Sequence, residues 1–376
     1  MNERFVAQGT DLQRALAEAS QAPDEAPYGM PGRFYWDEQH FDHERHTVLR
    51  QGWHCVARAD EAPYSGDFLS LTLLDEPSII VRRDHAIAAL SNVCRHRGMP
   101  LAKGSGHAAR FVCPYHAWTY GLDGKLLRAS RMQNAGFNPQ TCHLPEFHCV
   151  ERFGFVYVSL ADTPPDIDAE LVGLETLITP YEPENYAIAH SATEVWHCNW
   201  KALVENFMEG YHLSVVHPQS LHGYTPTGLS KKGPNGPGFT SYLANYPNDI
   251  AARGQGAPGL SEEAQHRSTL FAVFPCQVVS IAASLLVSLS LRPLTPTSVE
   301  VRWTLSSYDG GLDAETIQQR IALWNEVNRE DREKLEAMQP ALRSVHATGG
   351  PLAGADYEGT VRDFLLWLAK EDAQAR

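Results

Sequence analysis

Cys94-Arg95-His96-Arg97-Gly98-Met99-Pro100 and Cys113-Pro114-Tyr115-His116 are the two stretches on which the reading of this chain turns. Each supplies one thiolate and one imidazole from a tight loop, and sixteen residues lie between His96 and Cys113. Facing each other, Cys94, His96, Cys113 and His116 can hold a two-iron, two-sulfide cluster, with both thiolates on one iron and both imidazoles on the other. Neutral histidines in place of two thiolates raise the reduction potential above that of a four-cysteine cluster. A zinc site also takes two Cys and two His, but usually as a close Cys pair followed by a His pair, whereas here the two alternate. Gly98 and Pro100 suit the tight backbone of such loops.

At 376 residues the chain is too long for one small core, and two domains are expected. A formal charge of −14 argues against nucleic acid as a partner, and is compatible with docking a basic electron-transfer protein. Beyond the two cluster cysteines, Cys55, Cys142, Cys149, Cys198 and Cys276 are scattered without a framework, which reads as a reducing compartment. Met1-Asn2-Glu3-Arg4 opens no apolar leader. The run Val278 to Leu291, interrupted by serines, falls short of the roughly 20 residues that span a bilayer and reads as buried strand. A cytoplasmic protein with no membrane association is the expectation.

Short apolar runs at Phe68–Leu74, Ser78–Val81, Ile87–Leu90, Phe111–Cys113 and Phe153–Val158 predict a small all-β module over residues 43–160. Residues 1–42 are expected to form a lead-in, with a helix over 11–19, that packs on the domain beginning at residue 161. Ala161-Asp-Thr-Pro-Pro165 opens a second domain over 161–376. There the pattern predicts a helix over 200–216, loops over a pocket in 223–259 and antiparallel strands in 270–307. A long helix over 314–339 ended by Pro340 and a terminal helix over 360–373 complete it. Gly254-Gln-Gly256-Ala-Pro-Gly259 matches a dinucleotide fingerprint but follows polar residues ending at Arg253 rather than a strand, so nicotinamide is expected on a partner protein.

Glu205 to Pro218 is the second informative segment. Glu209 and His212, three apart, share a helix face, and His217 sits at the helix end before Pro218. Two histidines and one carboxylate with open positions suit ferrous iron that activates oxygen. The carboxylate comes from the stripe Ile317, Ile321, Trp324, Val327, Asp331, Leu335, Met338. Asp331 stands in its apolar middle, where a carboxylate needs a counter-charge, while Arg329 and Arg332 project elsewhere. Glu330 is the rival ligand and falls on the polar side of the helix.

The motifs Asn92-Val-Cys-Arg-His-Arg-Gly98, Cys113-Pro-Tyr-His-Ala-Trp118, Asn199-Trp-Lys201, Glu205–Pro218 and Glu330-Asp331, with Glu336 and Gln339, resemble the α-subunit of a Rieske non-haem iron oxygenase. The resemblance covers nearly the whole chain. It implies an α+β protein: an N-terminal all-β Rieske [2Fe-2S] domain and a C-terminal helix-grip catalytic domain with an antiparallel sheet. It also implies one [2Fe-2S] cluster and one mononuclear Fe(II) per subunit, O2 as co-substrate, and NAD(P)H acting through a flavin/iron–sulfur reductase, with or without a ferredoxin. A head-to-tail homotrimer would pass electrons between neighbouring subunits through Glu209, with His116 as the cluster-side partner. Glu209 resembles the branch that oxidises quaternary ammonium compounds, although Glu-Gly-Tyr-His stands here for that branch's Glu-Cys-Tyr-His. The implied activity is monooxygenation of a betaine- or carnitine-like substrate. The alternatives are an aromatic-acid ring hydroxylase and a non-catalytic electron-transfer protein. Tyr224, Phe239, Tyr242, Tyr246, Phe271 and Phe274 are the candidate pocket aromatics, as a cation–π cage or an apolar slot.

Overall fold

The computed structural model describes residues 3–132, 136–252 and 254–374, with residues 3–10 described by backbone alone. Met1 and Asn2 of the leader reading, and Arg253 before the Gly254 motif, lie outside the described residues. Two compact units emerge: residues 55–164, and residues 1–54 together with 165–376.

The smaller unit is built from short strands. They are β1 (His54–Arg58), β2 (Asp67–Leu73), β3 (Glu76–Arg83), β4 (Ala86–Ser91), β5 (Ser105–His107), β6 (Phe111–Val112), β7 (Thr119–Tyr120), β8 (Leu126–Arg128), β9 (Glu146–Arg152) and β10 (Phe155–Ser159). One sheet runs β1-β10-β9-β4-β3-β2-β5, and β6-β7-β8 form a second. Three hairpins close on two-residue loops, Leu74-Asp75, Asp84-His85 and Phe153-Gly154. The first residue of each has φ between 51° and 55°, as tight turns matched to strand twist require. Phe153 therefore belongs to a turn, not to the strand expected over 153–158. One face of the larger sheet buries Val56, Ile80 and Val158. The other buries Ile79, Leu90, Phe111, Trp118 and Tyr120, together with Cys94 and Cys113.

The larger unit is organised on one antiparallel sheet of β11 (Tyr186–Trp196), β12 (Ser230–Lys232), β13 (Phe239–Asn245), β14 (Arg267–Val273), β15 (Gln277–Ala282), β16 (Leu285–Thr295) and β17 (Ser298–Tyr308), in the order β11-β17-β16-β15-β14-β13-β12. The run Val278 to Leu291 becomes β15, a turn at Ala283-Ser284, and β16, buried throughout. Residues 223–259 are more ordered than expected, because β12 and β13 extend the sheet there. Helices occupy Trp200–Phe207, Leu213–Val216, Ala314–Ala341 and Ala355–Gln374. Asp313 caps the long helix by accepting from the Thr316 amide at 2.8 Å. Pro340 lies inside its last turn, where the ring forfeits a single amide and the helix ends one residue later. Met338 is 41% exposed and leaves the predicted stripe. Gln339 takes its place, accepting from the Asn199 amide at 2.6 Å and donating to the Tyr35 carbonyl at 3.0 Å.

The helix expected over 200–216 is interrupted. Asn199 caps its start, accepting from the Lys201 amide at 2.9 Å, but the helix stops at Phe207 and resumes at Leu213. Gly210 sits in the gap, where an added Cβ would collide with the Ser230 side chain, so only glycine fits. That close approach gives a physical reason for glycine between Glu209 and Tyr211. Among the described residues no helix is long and apolar enough to cross a membrane.

Candidate metal centres

In the smaller unit the two ligand loops are built alike. The Cys94 amide donates to the Met99 carbonyl at 2.9 Å, and the Gly98 amide donates back to the Cys94 carbonyl at 2.9 Å. The Cys113 amide likewise donates to Trp118 at 2.8 Å, and Ala117 donates to Cys113 at 3.0 Å. The fifth residue of each loop has positive φ: 75° at Gly98 and 56° at Ala117. The first is free for glycine, the second a strained conformation for alanine. The loops bury both cysteines, leave His116 exposed and bring the two histidine Nδ1 atoms to 3.2 Å. His96 stacks on the buried Trp118 ring at 4.9 Å between centroids. Tyr120 was absent from the sequence reading. Its phenol oxygen accepts from the Arg95 amide at 3.0 Å and lies 3.4 Å from Cys94 Sγ, placed to donate its proton there. Burial and that sulfur raise the Tyr120 pKa, keeping the phenol a donor. Two inward sulfurs and two convergent Nδ1 atoms fit a Rieske-type cluster, whose potential responds to hydrogen bonds on sulfur.

In the larger unit the helix gap does the positioning. Glu209, outside any helix, accepts from the Tyr211 and His212 amides, the latter at 3.0 Å, and from His212 Nδ1. It thereby fixes the turn that leads into the short helix Leu213–Val216, whose N-cap is His212, and orients the His212 ring, so Glu209 and His212 meet through a turn rather than on one helix face. His217 ends that helix, 1% exposed. Asp331 comes from the long helix, and its Oδ1 lies 3.0 Å from His217 Nε2 and 3.5 Å from His212 Nε2, while the two Nε2 atoms are 3.3 Å apart. These three residues form a group able to hold a metal ion.

The electrostatics ask for positive charge at that point. Burial opposes protonation of either imidazole, yet Asp331 and then Glu209 outweigh it and push His212 up to about 10, and His217 is raised as well. Asp331 is held far below the usual carboxylate range despite its burial. Asp331 Oδ1, buried, makes no hydrogen bond of acceptable geometry. A buried carboxylate oxygen facing two imidazole nitrogens at this spacing fits a divalent cation in a facial triad.

Glu330 is half-buried rather than on a purely polar face. Its Oε2 meets His217 Nδ1 at 2.8 Å and accepts from Ser220 Oγ at 2.5 Å. It meets the His217 ring on the nitrogen that faces away from Asp331 and lies outside the group of three that could hold a metal ion. Arg329 and Arg332 pair with Glu326, Glu333 and Glu194, away from Asp331. Phe207, Tyr242, Trp324, Leu270 and Val327 line the pocket beside the triad. Of the predicted aromatics, Tyr242 is there. Phe274 instead packs on Trp367 at 5.0 Å, Phe239 is fully buried near Gly173, and Tyr246 bonds Ser268 at 3.0 Å. Trp324 was legible only as a core position, and Phe207 was not singled out.

A model of the ring-hydroxylating α-subunit catalytic domain matches residues 183–371. The chain belongs to that family. A Rieske [2Fe-2S] domain model matches residues 52–148 of this α-subunit, so the two domains imply a [2Fe-2S] cluster and a mononuclear iron. Among its relatives is the oxygenase subunit of glycine betaine monooxygenase from Chromohalobacter salexigens, 39% identical over 197 residues, 52% of this chain and 44% of that one. Another is the carnitine monooxygenase oxygenase subunit of Escherichia coli K12, 35% identical over 201 residues, 52% of this chain and 54% of that one. The chain thus spans about half the length of the relatives it matches in sequence. Its fold is similar to that of the quaternary ammonium Rieske monooxygenase CntA in complex with L-carnitine, with a TM-score of 0.79 over 96% of this chain and 98% of that one at 22% identity. Naphthalene 1,2-dioxygenase from a Rhodococcus species bound to indole has a TM-score of 0.82 over 97% and 98% at 18% identity.

Proposed function

We propose that this α-subunit is the terminal oxygenase of a multi-component system that oxidises a carbon bound to nitrogen in a small quaternary ammonium compound. The observation that carries this reading is the pocket beside His212, His217 and Asp331. It is walled by Phe207, Tyr242 and Trp324, and no Lys or Arg is among its described lining residues. A cation gains from those aromatic faces, whereas an aromatic acid would find no Lys or Arg among the described lining residues. Sequence similarity to betaine and carnitine monooxygenase subunits supports the same reading.

Cys94, His96, Cys113 and His116 would hold the cluster, and His212, His217 and Asp331 the iron. When bound, these groups supply stored electrons and the binding and reduction of O2. The protein's own part is positional. Glu209 fixes the His212 tautomer by accepting from Nδ1, Glu330 does the same for His217, and both free Nε2 for the metal. The apolar wall excludes water from the reacting carbon. Glu209 further serves as the link from His212 to His116 of a neighbouring copy in a head-to-tail trimer. A separate reductase, drawing on NAD(P)H, supplies electrons. Hydroxylation of an N-methyl group yields a hemiaminal that loses formaldehyde, a net demethylation.

Oxygen uptake and product mass with a surrogate reductase, across trimethylammonium compounds and benzoate-type acids, test the proposal. Turnover of the ammonium compounds, with iron analysis giving two atoms for the cluster and one for the triad, is expected. Ring hydroxylation of an acid with no ammonium turnover overturns it.

A further inference from the structure

The net charge of −14 is not spread evenly along the chain. Residues 55–164, the smaller unit, carry eleven Lys and Arg against ten Asp and Glu, so the acidic excess lies entirely in the larger unit. Within residues 92–131, which bear both ligand loops, the balance is reversed: seven basic residues stand against one acid, Asp123. Asp123 pairs with Lys125 at 2.9 Å. The other six, Arg95, Arg97, Lys103, Arg110, Arg128 and Arg131, are exposed, and among the described residues none has a carboxylate partner. These charges sit on the elements that carry the cluster ligands. Arg95 and Arg97 flank His96, and the Arg97 guanidinium lies 5.5 Å from the Tyr115 ring centroid in the second loop. That loop is the turn between β6 and β7, and Val112, Thr119 and Arg128 are register neighbours across β6, β7 and β8. Arg110 leads directly into β6. Among the charges stand the apolar side chains of Met99, Val112, Tyr115 and Leu127, 39 to 62% exposed.

Resting on the oxygenase reading above, we propose that the electron donor docks on this face through an acidic surface of its own. The polarity is opposite to the one that net charge alone suggests, because an approaching partner responds to the field at the cluster rather than to the sum over the chain. A second copy of this chain is also acidic in its larger unit, but the face suits a partner that leaves. Unpaired, hydrated guanidinium groups with apolar side chains scattered among them fit a small, salt-sensitive encounter. A lasting interface between copies instead places an apolar core, depleted of charge, at its centre. Electron supply requires such departures. The donor is oxidised by one electron, one ferric ion of the cluster becomes ferrous, and the oxidised donor dissociates to make room for the next reduced one.

Stopped-flow reduction of the full, cluster-loaded chain tests this without turnover, by following the bleaching of the cluster absorption. Two small donors of similar structure and opposite charge, reduced methyl viologen and reduced propyl viologen sulfonate, report the sign of the field. A reduced, acidic plant-type ferredoxin reports docking of a protein. At low salt the anionic viologen should react about tenfold faster than the cationic one, and added salt should close the gap. Arg110→Glu combined with Arg128→Glu, at positions that hold no ligand, should erase most of that preference. The same pair should slow reduction by the ferredoxin about tenfold, with the oxidised cluster spectrum and the oligomeric state unchanged. The ratio of the two viologen rates cancels any shift in cluster potential that the substitutions cause. If the pair disturbs the cluster spectrum, Lys103→Glu combined with Arg131→Glu gives the same readout. A faster cationic donor, or an anionic preference that survives the substitutions, overturns the proposal. So does a change of oligomeric state in the variant, which assigns the face to a second copy. A parent chain that takes up no cluster overturns the oxygenase reading, and the docking assignment with it.

Discussion

The two candidate centres are held in shape by opposite means. Around the cluster the backbone does the holding. Two equivalent loops close on their own amides, the sulfurs are buried and one imidazole is left at the surface. Around the triad side chains do it. Every candidate ligand is buried or half-buried, and each histidine meets a carboxylate on its far nitrogen. A site that must hand electrons to another protein needs an exposed edge on a rigid loop. A site that must keep water from a reacting carbon needs depth, and depth demands counter-charges.

The sharpest way to break this comparison is to remove one ligand from each centre. Cys94→Ser or His116→Ala should abolish the visible absorption and the reduced-state EPR signal of the cluster while the triad iron remains. Asp331→Ala should do the reverse, emptying the triad and stopping turnover with the cluster spectrum intact. If Glu330→Ala empties it and Asp331→Ala does not, the assignment of the two neighbouring carboxylates is inverted.

Glu209→Gln tests whether the two centres communicate through that side chain. Both metals should stay bound, while cluster reoxidation in single-turnover experiments slows by orders of magnitude. Normal reoxidation coupled to product would remove Glu209 from the electron path.

A smaller effect sharpens the claim that carboxylates orient the buried histidines. Glu330→Gln should weaken iron binding about 10- to 100-fold without touching the cluster, as loss of an orienting partner does. Chelator competition followed by iron analysis measures it.

The smallest effect concerns burial itself. Glu205 accepts from the Tyr35 phenol at 2.9 Å. Its pKa is pushed up to about 8 by burial, with the Glu358 carboxylate adding to the rise and Tyr35 and Lys201 opposing it. The folded state therefore holds a proton that the unfolded chain has released, and stability declines as pH rises from the ordinary glutamate range through about 8. Glu205→Gln removes that decline. Its melting temperature should match the parent near pH 4, exceed it increasingly up to about pH 8, and hold a constant lead above. A lead that does not change with pH would refute the origin in Glu205.

Legibility followed the same division. The cluster ligands sit two and three residues apart, so spacing alone carries the reading, and even the strain at Ala117 is a local property. The triad draws Asp331 from a helix more than a hundred residues beyond His217, and only the apolar stripe around it gave a clue. What escaped the sequence depended on contacts between distant segments. The gap at 208–212 follows from Gly210 meeting Ser230, which no helical period reports. Glu330 looked solvent-facing because periodicity cannot show that His217 and Ser220 reach across to it. Trp324 read as core because a pocket wall and a core share one composition, and Phe207 carried no signal of its own.

The interruption at 208–212 has one more consequence. Its start and its middle are tied to the C-terminal helix, where Thr360 Oγ1 donates to the Met208 carbonyl and the Gly210 amide donates to the Tyr357 carbonyl at 3.0 Å. Helix Ala355–Gln374 thus works as a keystone for an arch whose crown carries His212. Pull it away, and the iron site should sag, though no metal-binding atom has been cut from the chain.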